Sequence, residues 1–388
     1  MTVDVAHPVA RYATAFHRAI GDGHHVASPL GAWLLLALAA PAASGDARDR
    51  LADVLGADID EARAVAASLL AEPHPAVASA AATWLRDVST EALRGWLAGL
   101  PAQVEVGDMP TQAQADAWAS EHTSGLIDAF PVTITPRTVL VLASALATRV
   151  SWEVAFDVAP AAELGVGSPW AGRVTRVLRS PPAHQAFINT TRDAGDVAAH
   201  TATSTDGLAV TSVIAPADAE PVAVLAAAHE IALGSVRTRS LFDLPLGDSP
   251  LWTVVESRSD GGNEERHTAV LPAWSAQSDH ALDGPQLGFE AAADALIALL
   301  PPGEYESAAK QSAVARYSRT GFEAAAVTAV GIRATAMREP RGVRRTAILR
   351  FGHSYAVVAV AQGGGPWHGV PVFSAWVASP EDAEEVTA

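Results

Sequence analysis

The chain contains no cysteine. Disulfides, Cys-ligated zinc and thiol nucleophiles are therefore excluded. Lysine occurs once, at Lys310, so nearly all positive side-chain charge is arginine. With abundant alanine this bias points to a high-GC bacterial genome. Positive charge is scarce overall: the net charge is −17 and the pI about 5.1. An acidic chain without a Lys/Arg-rich patch gains nothing from the phosphate attraction that drives nucleic-acid or anionic-lipid binding. A long apolar run is missing too. The longest, Ala32 to Ala43, carries Pro41 and is too short to span a bilayer. The start, MTVDVAHPVARYATAF, has no basic stretch followed by an apolar core, so no signal peptide is expected, and the cytoplasm is the expected compartment.

Familiar catalytic signatures are also lacking. Gly352-His353-Ser354-Tyr355-Ala356 imitates a nucleophile elbow. It reads as mid-strand, however, and only His368 and a few acids follow it. His24-His25 lack a third metal ligand at helical spacing and read as a solvated loop. Gly165, Gly167 and Gly172 miss the dinucleotide fingerprint. Asn189-Thr190-Thr191 is a glycosylation triplet without an export signal, and Glu381–Glu385 reads as a solvated acidic tail. No metal, cofactor or enzymatic activity is expected.

What is present is a chain of 388 residues, 49% hydrophobic, enough for a sizeable core. Val9, Tyr12, Ala13, Phe16 and Ile20 recur at helical spacing. Ser28-Pro29 supplies an N-cap and a first-turn proline for a helix from Leu30 to Ala40 that is apolar all round. Further helices are expected after Gly45 and over 61–70, 90–97, 111–130 and 286–300. Val139–Ala147 reads as a strand buried on both faces, and short apolar runs such as Leu208–Ala215 and His267–Trp274 come after it. Thr346–Ala361 and Val370–Val377, joined across Gly363-Gly364-Gly365, read as a strand pair. With no repeat or linker, one α+β domain over 1–388 is expected.

Residues 313–345 break the pattern. Ala313–Tyr317 has strand character; GFEAAAVTAVGI comes next, then the polar, Arg-rich RATAMREPRGVRR. Loops this long inside a compact domain are usually functional. The small and β-branched residues of Glu323–Val330 suit a latent strand able to slide between two existing ones, although an ordinary loop or an alanine-rich helix has the same composition.

At this point the chain resembles the serpin family. HHVASPLGAWLLLALAAPAASGDARDRLADVLG (24–56), ADAWASEHTSGLIDAF (115–130), VLVLASALATRVSWEVAF (139–156) and TAVLPAWSAQSDHAL (268–282) are similar to serpin segments in order and spacing. So are GFEAAAVTAVGI, RFGHSYAVVAVAQ and VPVFSAWVASP. The resemblance implies three β-sheets, eight or nine helices and an exposed reactive-centre loop at about 321–345. It implies a monomeric inhibitor that traps a serine (or cysteine) protease as an acyl-enzyme by inserting its cleaved loop into the main sheet. By resemblance an extracellular site is the alternative to the cytoplasm. Gly321, Phe322, Glu323, Ala324, Ala325, Ala326 and Thr328 match the hinge, and counting along it puts the scissile bond at Thr335-Ala336. Arg333, Met337, Arg338 and Arg341 are rivals. Ser28, Ser144, Trp152 and Gln311 match the region where the sheet opens, and Ser144 and Gln311 are expected to bond to each other. The chain departs from the family at Phe322, where a small residue is usual and a ring would impede insertion, and at Arg319, where glutamate is usual. Ser144 and Gln311 replace the usual asparagine and histidine. These departures leave a non-inhibitory serpin that binds a partner or ligand as the alternative.

Overall fold

The apolar segment behind Ser28 forms the central helix. In the computed structural model, which describes residues 5–86, 89–322 and 342–384, it is the second of eight α-helices among the described residues. These are α1 (Ala6–Ile20), α2 (Pro29–Ala39), α3 (Gly45–Leu55), α4 (Ile59–Ala71), α5 (Glu91–Ala98), α6 (Gln112–His122), α7 (Pro221–Ala232) and α8 (Phe289–Ile297). All but one residue of α2 are buried, since it has no polar face to offer water. Its Ser28 cap accepts from Gly31 N–H, satisfying one orphan donor of the first turn. The expected stripe on α1 is buried at Val9, Tyr12, Ala13 and Phe16.

The first half of the chain supplies the strands β1 (His25–Ala27), β2 (Ala78–Leu85), β3 (Val104–Asp108), β4 (Leu140–Ala147), β5 (Val150–Ser151), β6 (Asp157–Pro160), β7 (Arg176–Arg179) and β8 (Gln185–Thr191). The next group is β9 (Gly195–Thr203), β10 (Leu208–Ile214), β11 (Gly247–Asp248), β12 (Trp252–Ser259), β13 (Glu264–Leu271) and β14 (Trp274–Ala281). The last five are β15 (Lys310–Tyr317), β16 (Gly321–Phe322), β17 (Gly342–Arg350), β18 (Tyr355–Ala361) and β19 (Pro371–Val377). One six-stranded sheet runs β1-β19-β18-β10-β9-β8, and a second runs β11-β12-β17-β13-β7-β6. The third, main sheet is open. Its two leaves are β14-β15-β16-β5 and β3-β2-β4, joined through the short break at Thr148-Arg149 between β4 and β5.

Several sequence expectations are corrected. The helix expected over 111–130 ends at His122, because Ser124 and Gly125 both take positive φ and turn the chain away. His267–Trp274 is the end of β13 and the start of β14, separated at Pro272, which cannot donate to a ladder. Thr346–Ala361 is two strands in two sheets, with Gly352 to Ser354 in the connection and not in mid-strand; β18 alone pairs with β19. The acidic tail is tied down. Asp382 accepts from Thr175 N (2.7 Å) and Arg176 N (2.8 Å), and Glu384 pairs with Arg316. Asn189 is buried within β8, which removes the glycosylation reading.

Among the described residues no helix is long and apolar enough to cross a membrane. One buried cluster extends from Val5, just before α1, to Ala383, and includes most of α2. Truncating Leu34, fully buried on α2, is expected to lower stability by about 2–5 kcal/mol, read as a fall in the urea midpoint.

Candidate functional site: the opening in the main sheet

The site is a gap between two strands. β4 pairs with β2, and β15 pairs with β14; the edges that β4 and β15 turn toward each other share no register among the described residues. Between them lies a cavity of about 1050 Å³, lined by Leu140–Leu146, Lys310–Ser312, α2, α8 and residues of the segment after α6. Burial along β4 explains the correction to its expected two-sided burial. Val141 and Ala143 pack under α6 with Ala82, Trp84 and Ala115, while Leu140, Leu142 and Ser144 face the gap and are half-buried.

Three sequence-selected residues meet at the cavity floor. Ser28 N–H donates to Gln311 Oε1 (2.9 Å), and Gln311 Nε2 donates to Ser28 O (2.8 Å). Gln311 on β15 therefore clasps the backbone at the start of α2 like a paired strand. Ser28 Oγ donates to Val372 O on β19 (2.8 Å), so Ser28 is both a helix cap and a bond between sheets. Ser144 does not bond to Gln311 as expected; its hydroxyl donates to Gly31 O (3.0 Å). Gly31 lies between the two hydroxyls; a Cβ there would be in ordinary contact with Ser28 Oγ and Ser144 Oγ (3.5 Å each) and would crowd Leu146 Cδ1 at 3.2 Å.

At the top the gap is closed by β16. Phe322 lies opposite Tyr317 of β15 on one side and Val150 of β5 on the other, antiparallel to both. Gly321 lies opposite Ser151, and a Cβ at Gly321 would meet Val150 O at 2.2 Å, so only glycine fits. The turn before it is held by Trp152. Its indole N–H donates to Ser318 O (3.1 Å), its backbone N–H to Thr320 O (3.0 Å), and Phe156 N–H reaches Arg319 O (2.9 Å). The Phe322 ring is 4% exposed and packs edge-on to Trp274, which stacks on Tyr317. Burial pushes the Tyr317 hydroxyl well above the usual phenol range. The ring is therefore already seated at the top of the gap, between β15 and β5. Val150, Ser151, Tyr317 and Trp274 escaped the sequence reading. Only their nearness to Trp152 and to the LPAW turn could have pointed to them.

Glu323, Ala324, Ala325, Ala326, Thr328, Arg333, Thr335, Ala336, Met337, Arg338 and Arg341 lie outside the described residues. His25 is not in a solvated loop but buried in β1, with His24 half-buried in the bend before it, and no metal-binding group of three ligands occurs among the described residues.

Comparison with known proteins agrees with this geometry. The family model for serpins (serine protease inhibitors) matches residues 10–163. No curated protein matches in sequence. Among solved structures, the native state of tengpin, a thermophilic serpin, is similar at TM-score 0.68 and 14% identity, covering 96% of this chain and 94% of that one. Serpin48 of the insect Tenebrio molitor is similar at 0.61 and 14%, covering 97% and 98%. Human thyroxine-binding globulin, complexed with thyroxine, is similar at 0.62 and 12%, covering 97% and 99%. The chain is thereby identified as serpin-like: in sequence over residues 10–163, and in fold over nearly all of its length.

Gly321→Ala is expected to drive β16 out from between β15 and β5. Overpacking of this kind costs about 1–3 kcal/mol, and limited proteolysis should then cut faster between Ser318 and Glu323 than in the parent protein.

Proposed function

We propose that the chain is a serpin-type protease inhibitor, and that the opening between β4 and β15 receives the loop after Phe322. The observation that carries this reading is the register of β16. On insertion in that register, each residue beyond Phe322 would step one position down both neighbours. Ala324 then falls opposite Ala315, Ala326 opposite Ala313 and Leu146, and Thr328 opposite Gln311 and Ser144. Val330 and Ile332 come next, opposite Leu142 and Leu140.

Strand side chains alternate between faces, so the residues on the Phe322 side are Ala324, Ala326, Thr328, Val330 and Ile332. They are small or apolar, apart from one hydroxyl, and that hydroxyl coincides with the Ser28–Gln311–Ser144 cluster. The charged residues of the segment, Glu323 and Arg333, both fall on the other face. A sequence with no relation to the gap has no reason to place its one inward polar group at the one polar station of the floor.

The chemistry belongs to the protease. Its serine attacks a loop carbonyl in the 333–341 stretch and forms an ester, and the new amino terminus departs. The freed segment adds as a strand between β4 and β15, gaining two ladders of backbone hydrogen bonds, and carries the esterified protease away before water attacks. Thr335-Ala336 remains the assigned bond, with Arg333, Met337, Arg338 and Arg341 as rivals. An arginine in that place selects a protease with an acidic specificity pocket. Members of the family are mostly inhibitors, not catalysts.

A second reading, a non-inhibitory serpin that binds a partner or ligand, is favoured by the seated Phe322, which ties the hinge to Trp274 before any cleavage.

Mixing the protein with trypsin-, elastase- and subtilisin-like proteases separates the two on a denaturing gel. The inhibitor reading predicts a band at the summed mass that survives boiling; cleavage without that band for every protease supports the second reading. Thr328→Arg is expected to be cleaved as fast as the parent but to lose at least about tenfold in covalent yield, because insertion would bury an unpaired charge.

A further inference from the structure

β1 is only three residues long, yet it joins two sheets. On one side it forms a ladder with β19, with His25 opposite Trp376 and Ala27 opposite Ser374. On the other it is stitched to β14 by side chains. Val26 N–H donates to Ser278 Oγ (3.1 Å), and His280 Nε2 meets Val26 O (2.8 Å). Just before β1, His24 Nε2 meets Ser275 O on β14 (2.8 Å), and its Nδ1 faces Ala378 N–H beyond β19 (3.1 Å). From α1, His17 reaches in: Nδ1 lies 2.9 Å from His25 Nε2, and Nε2 lies 2.6 Å from Ser374 Oγ. His25 Nδ1 closes the chain on Gly23 O (2.8 Å).

The partners fix every proton. A carbonyl only accepts, so His25 carries hydrogen on Nδ1 and its Nε2 is bare. That Nε2 must take the hydrogen of His17 Nδ1, which leaves His17 Nε2 bare to accept from the Ser374 hydroxyl. By the same rule His24 donates from Nε2 to Ser275 and accepts at Nδ1 from Ala378, and His280 donates from Nε2 to Val26. Three rings thus use their only free lone pair on a donor already aimed at it. A second proton on His25 would face His17 N–H. His17 could take one only if the Ser374 hydroxyl turned, and it would then hold a cation that is 2% exposed.

The surroundings offer that charge little support. α7 contributes buried His229, bonded at Nδ1 to Leu225 O. The carboxylates that bear on the network are Asp22, before β1, and Asp279 of β14, which already accepts from Ser312. Glu381 accepts from Ser275 Oγ at the outer edge of β14.

We propose that this histidine seam is an acid-sensitive lock that holds β1, and with it the side-chain stitches to β14, against α1 and the β19 edge: closed while the rings are neutral, released when they take up protons. Burial pushes His25 down from 6.5 to about 4 and His17 well below 6.5, with the neighbouring histidines adding repulsion. A released seam binds these protons at the ordinary value. The stability it lends is therefore full above pH 6.5 and is withdrawn as pH falls from 6.5 toward 4. β1 runs directly into Ser28, whose backbone Gln311 clasps, so the seam adjoins the clasp on the leaf that carries β14 and β15.

The lock belongs to the fold, so its test reads hydrogen exchange and needs no protease. Exchange is followed on the whole protein at pH 7.4 and 5.0, corrected for the intrinsic rate of unstructured peptides. Peptides covering 20–28, 274–281 and 370–378 are expected to exchange about tenfold faster at pH 5.0, while β2 and α4 hold their protection. Ser374→Ala, which removes the donor aimed at His17 Nε2, is expected to move the midpoint of that change upward by about half a pH unit. Equal seam protection at the two pH values would overturn the proposal. So would a loss spread evenly over the whole protein, or a Ser374→Ala midpoint that does not move.

Discussion

Everything in the main sheet turns on two strand edges that face each other without pairing. Buried backbone N–H and C=O groups must find partners, and an open edge is a template for another strand. Here the edges of β4 and β15 are held apart from above by Phe322, packed among Trp274 and Tyr317, and from below by the clasp between Gln311 and Ser28. Because the strand at the top already has a register, the opening is not a general crevice. A strand continued from Phe322 in that register would meet each position of both edges in a fixed order.

That constraint relates features that look independent in the sequence. Gly321 is required by Val150 O, and the apolar residues of α2 by the cavity they underlie. Ser28 sits where the end of β1, the start of α2, β15 and β19 all meet, which makes it the point at which a movement of one leaf reaches the other sheets. The histidines around β1 sit one strand further out. They hold β1, which is stitched to the same leaf, against α1 and β19 through bonds that depend on neutral rings and so on pH.

Much of the fold was legible in the sequence because the signals were local. The α1 stripe, the Ser28-Pro29 start of α2 and the strand at β15 each rest on a few neighbouring residues. The errors arose where distant contacts decide. Nothing in Thr346–Ala361 announces that the chain leaves one sheet and enters another near Gly352, and nothing in Glu381–Glu385 announces Thr175, Arg176 and Arg316. Of the site, Ser28, Gln311 and Trp152 were found through resemblance, but their partners were not. Ser144 was matched to Gln311 because both are polar, whereas Gly31 O is the nearer acceptor. Phe322 was read only as a departure from the pattern; its packing on Trp274, far away in sequence, was not legible.

The central claim is the register, and the absence of native cysteine makes it directly measurable. In the predicted insertion Val327 lies opposite Ala145, close enough for a disulfide, while Ala143 is a diagonal neighbour too far away. A protein carrying Val327→Cys and Ala145→Cys, cleaved within 333–341 and then oxidised, should cross-link; one carrying Val327→Cys and Ala143→Cys should not. Cross-linking of the first pair alone is what the account predicts. Equal cross-linking of both pairs, or of neither, would contradict it.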